Sequence, residues 1–175
     1  IGDMLYPQLK QRMPGIIPVG IDQAPHLRIA RDYIRRAKDN RYFLLSSIHH
    51  KFTPALNGDF KMSKSHPESC IDLPEDLDSL KKKIQKAKTG GRKTLEEHRR
   101  LGGIPEEDMV FELLKQHFIE DDKELMQIYT AYKKGKMTSG ELKQLAIDRI
   151  SAFMLHFEKA FVKAKKQVKQ LHFLH

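Results

Sequence analysis

The chain has 175 residues, of which 39% are hydrophobic and 31% are charged, a composition that fits one large or two small packed domains. Its net charge of +9 indicates an anionic partner, and nucleic acid is the first candidate. No apolar run approaches a membrane span, and no basic-then-apolar leader opens the chain, so we expect a cytoplasmic protein outside any membrane. A single cysteine, Cys70, excludes an internal disulfide.

The first 48 residues predict alternating helices and strands. Met4, Leu5, Leu9 and Met13 are spaced like one face of a helix, which the following Pro-Gly pair would end. The β-branched run 16–21 is typical of a buried parallel strand. Helical spacing then continues to about residue 38, and residues 42–48 predict a second strand. This order favours an α/β unit with parallel strands.

From residue 76 onward the sequence predicts helices only, after an irregular segment at 49–75. The last helix has the clearest start, because Thr138 and Glu141 resemble a capping box. Its apolar stripe predicts core packing along its whole length. The predicted helices are 76–88, 94–101, 106–118, 121–134 and 139 to the end. The stripe consists of Leu142, Ala146, Ile150, Phe153, Phe157, Phe161, Ala164, Val168 and Leu171.

The run Lys61-Met62-Ser63-Lys64-Ser65, here called the KMSKS loop, carries the clearest chemical signal. Two ammonium groups three residues apart, with small hydroxyl residues beside them, suit a mobile loop that meets a polyphosphate. Such a loop can neutralise charge that develops on a leaving pyrophosphate. The plainer alternative is a solvated basic loop.

Residues 20–23, Gly-Ile-Asp-Gln, lie where the first predicted strand ends and a helix begins, the usual ligand side of an open α/β sheet. Gly20 allows close backbone approach. The carboxylate of Asp22 can accept two hydroxyl protons, as from a ribose, and the amide of Gln23 can both donate and accept. Taken alone, Asp22 is explained equally well as a helix cap.

Together the two motifs resemble the tyrosyl and tryptophanyl branches of the class I aminoacyl-tRNA synthetases. Residues 22–26 (Asp-Gln-Ala-Pro-His) with the Arg-Asp pair at 31–32 resemble the tryptophanyl branch, and a tyrosyl enzyme is the closest alternative. Residues 52–58 (Phe-Thr-Pro-Ala-Leu-Asn-Gly), 90–92 (Gly-Gly-Arg) and 96–99 (Glu-Glu-His-Arg) resemble the archaeal and eukaryotic type. The resemblance extends along essentially the whole chain.

The resemblance implies roles for four residues around the first motif. Gly20 and Asp22 would approach the ribose of ATP. Gln23 would contact the amino or carboxylate group of tryptophan. His26 lies one turn into the helix and would face the same site, although a packed or exposed histidine explains it equally well.

The resemblance also implies roles for the KMSKS loop. Lys61, Ser63 and Lys64 would meet the phosphates of ATP and act in catalysis. Met62 would lie against the adenine through its backbone, and Ser65 would support the loop.

At the level of the whole chain, the resemblance implies an α/β part followed by an all-α part. Residues 1–75 would be the carboxyl-terminal half of a Rossmann-like nucleotide-binding domain, and 76–175 a helical anticodon-binding domain. The implied activity is that of a tryptophan–tRNA ligase. Such an enzyme uses ATP with Mg²⁺ to form tryptophanyl-adenylate, then transfers tryptophan to tRNA(Trp), and the family implies a homodimer.

The family's other signature, a His-x-Gly-His stretch, does not occur in this sequence, and the pair His49-His50 lacks its glycine. We therefore expect the carboxyl-terminal part of a synthetase, which does not activate tryptophan alone. A noncatalytic, synthetase-derived RNA-binding module is the alternative from another class. The histidine spacing predicts no metal ligand, and residues 89–94 lack the spacing of a phosphate loop and predict a turn.

Overall fold

The computed structural model describes residues 1–39, 41–168 and 170. It divides the chain into two compact units, Ile1–Phe52 and Thr53–His175. The boundary predicted between residues 75 and 76 concerns which residues serve the nucleotide and which serve RNA, and it stays a prediction. Within the described part of the chain, no helix has both the length and the apolar character needed to cross a membrane.

The first unit alternates helices and strands in the predicted order. Helix α1 spans Gly2–Lys10, strand β1 Ile16–Gly20, helix α2 Ala24–Ala37 and strand β2 Ser46–His50. The two strands pair in parallel, with Ile16 opposite Ser46 and Gly20 opposite His50. The prediction of a parallel α/β unit is therefore confirmed for this part of the chain.

Strand β2 begins at Ser46, later than the predicted start at residue 42. The preceding segment is held by a side chain of α1 instead of by β1. The amide N–H of Phe43 donates to Gln8 Oε1 at 2.6 Å, and Gln8 Nε2 donates to the carbonyl of Phe43 at 3.3 Å. Because these bonds occupy the backbone of Phe43, the sheet ladder starts only after it.

Helix α2 is fastened to β2 by one arginine. Arg31 Nε donates to the carbonyl of Leu45, and its Nη2 donates to Ser47 Oγ, both at 2.8 Å. The buried cluster of this unit is small and consists of Leu5, Ala30, Ile34 and Leu45, and Leu27 of α2 is also fully buried.

The second unit is helical, with α3 (Leu77–Lys86), α4 (Leu95–Leu101), α5 (Met109–Leu113), α6 (Asp122–Lys133) and α7 (Ser139–Val168). A π-helical turn, Leu114–Phe118, continues α5. Side-chain caps set most of the helix starts, as expected for Asp and Thr at the N-cap position. The capping residues are Asp76, Thr94, Asp108 and Asp121.

Helix α7 begins with the predicted capping box. The backbone N–H of Thr138 donates to Glu141 Oε2 at 2.6 Å, and the N–H of Glu141 donates to Thr138 Oγ1 at 3.2 Å. The prediction that the whole apolar stripe is core is wrong from Phe153 onward, because Phe153 is 39% exposed and Phe161 45% exposed. The predicted continuation of this helix, with Lys169 and Leu171, lies outside the described residues.

Candidate functional site

The first motif forms the turn between β1 and α2. Strand β1 ends at Gly20, a 3-10 turn covers Ile21–Gln23, and α2 begins at Ala24. A Cβ atom on Gly20 would lie 2.6 Å from Asp22 Oδ1, so only glycine leaves room for the carboxylate in this position. The Asp22 carboxylate thus lies next to Gly20, the last residue of the strand.

The side chains of this turn differ in exposure. Asp22 and His26 are exposed, whereas Gln23 is half-buried. Gln23, not Asp22, occupies the N-cap position of α2, and no side-chain hydrogen bond caps that helix. The helix-cap explanation of Asp22 is therefore wrong for α2. An exposed carboxylate at the carboxyl end of a parallel strand can accept hydrogen bonds from a hydroxyl-bearing ligand.

The KMSKS loop is an irregular segment that turns on its first serine. The N–H of Ser65 donates to Ser63 Oγ at 3.3 Å, and the N–H of His66 donates to the carbonyl of Ser63 at 3.0 Å. Lys61 and Lys64 are exposed, whereas Met62 is half-buried and packs against the large core of the second unit. The loop therefore exposes both lysines, while the half-buried Met62 packs against the core between them.

The predicted site residues fall into two groups, one in each unit. Gly20, Asp22, Gln23 and His26 are gathered on the strand-to-helix turn of the first unit. Residues 61–65 are gathered on the loop of the second unit.

The segment that follows the KMSKS loop is fixed by a pair that the sequence did not reveal, Glu75 and Lys83. Their side chains form an ion pair with only 6% and 14% exposure. Lys83 Nζ also donates to the carbonyl of Cys70 at 2.8 Å, and Glu75 Oε2 accepts from the N–H of Asp72 at 3.1 Å. In sequence Lys83 is one of three consecutive lysines, and nothing local distinguishes the buried one.

Cys70 is not placed as a nucleophile. Burial raises the pKa of its thiol, and the carboxylate of Asp72 raises it further. The thiol is therefore protonated at neutral pH, and a thiol is a much weaker nucleophile than a thiolate. This agrees with a structural or incidental role for the cysteine.

The glycine pair at 90–91 forms a packed turn. The N–H of Gly90 donates to Asp108 Oδ2 at 3.0 Å, and a Cβ on Gly90 would lie 1.9 Å from the carbonyl oxygen of Ile104. A Cβ on Gly91 would lie 2.3 Å from Ser139 Oγ. The pair thus serves close packing inside the second unit.

The described residues include no group of three or more His, Cys, Asp or Glu side chains that could hold a metal ion.

Comparison with known proteins places the chain in a family. A family profile described as tRNA synthetases class I (W and Y) matches residues 2–154. The tryptophan–tRNA ligase of Methanocaldococcus jannaschii is 44% identical over 171 residues, which cover 95% of this chain and 46% of that protein. The chain thus spans about half the length of the curated relatives it matches.

Solved structures of this family share the fold. The crystal structure of tryptophanyl-tRNA synthetase from Aeropyrum pernix matches with a TM-score of 0.84 and 39% identity, over 94% of this chain and 46% of that chain. A tryptophanyl-tRNA synthetase from Encephalitozoon cuniculi, bound to tryptophan, matches with a TM-score of 0.70 and 36% identity, over 82% and 38% of the two chains. The chain, with its mixed α/β fold, therefore belongs to the class I tRNA synthetases (W and Y).

Proposed function

We propose that this chain is part of a tryptophan–tRNA ligase, with residues 1–75 in the catalytic Rossmann-like domain and 76–175 in a helical anticodon-binding domain. One observation carries the proposal: the exposed lysines of the KMSKS loop stand on a turn whose Met62 is anchored in the core. A loop of this kind keeps its charged side chains exposed while the packing of Met62 fixes its position. A solvated basic loop needs no such anchor.

Tryptophan is favoured over tyrosine by two observations. The residues that follow Gln23 are Ala-Pro-His, which resemble the tryptophanyl branch. Curated relatives with 38% to 44% identity to this chain are tryptophan–tRNA ligases. In the proposed site Gln23 contacts the amino or carboxylate group of tryptophan, and His26 lies one turn further along α2.

The proposed reaction begins when the carboxylate of tryptophan attacks the α-phosphorus of ATP. The bond from this phosphorus to the bridging oxygen breaks, pyrophosphate leaves with the electron pair, and tryptophanyl-adenylate remains. The protein's contribution is placement and charge stabilisation. Lys61, Lys64 and Ser63 stabilise the negative charge that grows on the leaving pyrophosphate.

The remaining proposed contacts hold the nucleotide. Gly20 and Asp22 approach the ribose, Met62 lies against the adenine through its backbone, and Ser65 supports the loop. Mg²⁺ accompanies ATP through its phosphates in this proposal, and no step depends on a metal site of the chain.

The proposed macromolecular partner is tRNA(Trp), whose terminal ribose attacks the adenylate. Its phosphates would meet basic side chains of the helical part. Residues 76–175 contain 21 basic and 15 acidic residues, against 11 and 8 in 1–75. We further propose that the protein is cytoplasmic and forms a homodimer. Sedimentation of the complete protein would test the homodimer.

Amino-acid-dependent exchange between ATP and pyrophosphate tests the function directly. In a protein of the relatives' full length that contains this chain, we expect exchange with tryptophan and none with tyrosine. Exchange with tyrosine but not with tryptophan would show that the amino-acid substrate is tyrosine. No exchange with either amino acid would favour the RNA-binding module. Residues 1–175 alone should give no exchange with either.

Lys64→Ala tests the role of the loop in the same protein. Because Lys64 stabilises charge that grows during the reaction, we expect the activation rate to fall by about 10²- to 10³-fold. The KM for tryptophan should change little. Lys123→Ala, which removes an exposed lysine of α6, is the control and should leave the rate unchanged. An unchanged activation rate in Lys64→Ala would show that the loop is only a basic surface.

A further inference from the structure

His117 lies on the π-helical turn Leu114–Phe118, and its side chain reaches the segment that leads into the KMSKS loop. Its ring Nε2 is 2.7 Å from Thr53 Oγ1, across 64 positions of sequence. The threonine hydroxyl donates to this nitrogen in one histidine tautomer and accepts from it in the other. π-Helical turns are rare and are frequently found at functional sites.

Thr53 also holds the loop through its backbone. Its carbonyl oxygen accepts a hydrogen bond from the N–H of Met62 at 3.2 Å. Met62 is the half-buried residue between Lys61 and Ser63, so its position sets where both of these neighbours stand. Thr53 therefore links two elements. Its hydroxyl bonds to His117, and its carbonyl bonds to Met62 at the centre of the KMSKS loop.

The other end of the loop is held by backbone bonds. The N–H of Leu56 donates to the carbonyl of Ser69 at 2.9 Å, and the N–H of Lys88 donates to the carbonyl of Leu56 at 2.7 Å. These bonds do not depend on side-chain identity. The bond between Thr53 and His117 depends on both side chains, so it is the attachment of the loop that a substitution can change.

The hydrogen bond between Thr53 and His117 is not part of the core packing of the second unit. His117 is exposed and Thr53 is half-buried, and neither belongs to the large core cluster. Water can replace either partner when an exposed hydrogen bond is lost, so its removal costs little global stability. Its consequence is therefore expected at the loop.

We propose that His117 is a positioning residue for the KMSKS loop, which it holds in place through Thr53 and the backbone of Met62. The proposal rests on the function proposed above. A loop that is held less firmly spends less time in the geometry that stabilises the leaving pyrophosphate. The loss then appears in the rate of activation and not in the binding of tryptophan.

Two pairs of variants isolate the hydrogen bond. His117→Phe and Thr53→Val remove one partner each and keep the approximate shape. His117→Gln and Thr53→Ser keep a polar group that can rebuild the bond. His156→Phe, which replaces an exposed histidine of α7, is the matched control.

Amide hydrogen exchange on residues 1–175 gives a readout that does not need activity. We expect the Met62 amide to exchange about tenfold faster in His117→Phe and Thr53→Val. Protection should be retained in His117→Gln, Thr53→Ser and the control, and α3 should be unaffected. Unchanged Met62 exchange, or an equal loss across α3, would overturn the proposal.

Pyrophosphate exchange in a protein of the relatives' full length tests the consequence. His117→Phe should lower kcat for activation about tenfold with an unchanged KM for tryptophan, and His117→Gln should restore it. If His117→Phe has the kcat of the unmodified protein, the positioning role is overturned. If the unmodified protein itself shows no exchange, the proposed function fails, while the Met62 amide still decides whether His117 holds the loop.

Discussion

The two units bury apolar side chains to very different extents. Among the described residues, the core cluster of Ile1–Phe52 consists of Leu5, Ala30, Ile34 and Leu45. The cluster of the second unit joins side chains from α3, α5, α6 and α7. On the strands of the first unit, Ile16 is 64% exposed and Ile48 56% exposed.

Regular secondary structure and stability therefore have separate origins in the two units. Parallel strands are normally covered on both faces, yet β1 and β2 keep large apolar side chains at the surface. The sequence pattern of the two strands is enough to specify a parallel pair, but a unit of about 50 residues buries a smaller fraction of its surface than a larger one and is only marginally stable alone. The KMSKS loop belongs to the better-packed unit, and the Gly-Ile-Asp-Gln turn to the weaker one.

Asp108 gives the largest expected effect, because it organises the second unit. Its side chain is fully buried and accepts hydrogen bonds from the N–H groups of Gly90, Val110 and Phe111 and from the hydroxyl of Tyr132. Asp108→Ala leaves these donors buried without an acceptor, which should lower the free energy of unfolding by about 3–5 kcal/mol. Urea unfolding followed by circular dichroism measures the change.

Asp121→Ala is the matched control for Asp108. Asp121 is also an N-cap aspartate, but it is exposed and accepts from the N–H of Lys123 at 2.8 Å. Its loss should cost about 1 kcal/mol. Equal losses in the two variants would show that Asp108 is only a helix cap.

The order of elements and the capping box of α7 could be predicted, because local signals carry them. The hydrogen-bond partners of the buried polar side chains could not be predicted. Asp108 is one of many acidic residues, and nothing local to it indicates the two donors from distant segments, the N–H of Gly90 and the hydroxyl of Tyr132. Periodicity correctly identified the apolar face of α7, yet Phe161 is exposed because a period does not say whether another element covers that face.

The site shows the same division. Its residues were assigned from motifs, and their roles stay predictions. The structure adds supports that the motifs omit, such as the ion pair of Glu75 with Lys83. These are tertiary contacts between segments whose approach depends on the complete fold.

Hydrogen exchange tests the difference between the units directly. With rates corrected for sequence, amides in β1 and β2 should exchange about a hundredfold faster than those of α3 or α5, because fewer buried contacts oppose local opening. This corresponds to about 2.7 kcal/mol. Equal protection of strands and helices would show that the small cluster of the first unit is sufficient to stabilise it.

Alkaline pH tests the Asp108 network through Tyr132. Burial raises the pKa of this phenol above its ordinary value, and the hydrogen bond with Asp108 adds to the rise, while the bond with Ser139 opposes it. Above about pH 10 the unfolded chain therefore loses a proton that the folded chain keeps, and stability falls by about 1.4 kcal/mol per pH unit from this group.

Tyr132→Phe separates the two contributions of the hydroxyl. At pH 8 the variant should be about 1 kcal/mol less stable than the unmodified chain, because Asp108 loses a donor. By pH 11 this deficit should disappear, since phenylalanine has no proton to lose. A deficit that stays constant between these two pH values would contradict a raised pKa for Tyr132.

Glu141 gives the smallest expected effect and tests whether exposed caps contribute to the stability of the second unit. The hydrogen bond from the backbone N–H of Thr138, followed by the bond from its hydroxyl, lowers the pKa of the Glu141 carboxyl. Stability from this group is present above the unfolded pKa of about 4.3 and is lost as pH falls through the lower folded value.

Glu141→Gln should therefore flatten part of the loss of stability between pH 5 and pH 3 in urea unfolding, whereas Glu120→Gln, at an exposed glutamate between α5 and α6, should not. The change should be smaller than that of Tyr132→Phe, because water competes for an exposed carboxylate. If Glu141→Gln instead matched Asp108→Ala, the surface cap of α7 would rival the buried network. The stability of the second unit could then no longer be attributed to its core.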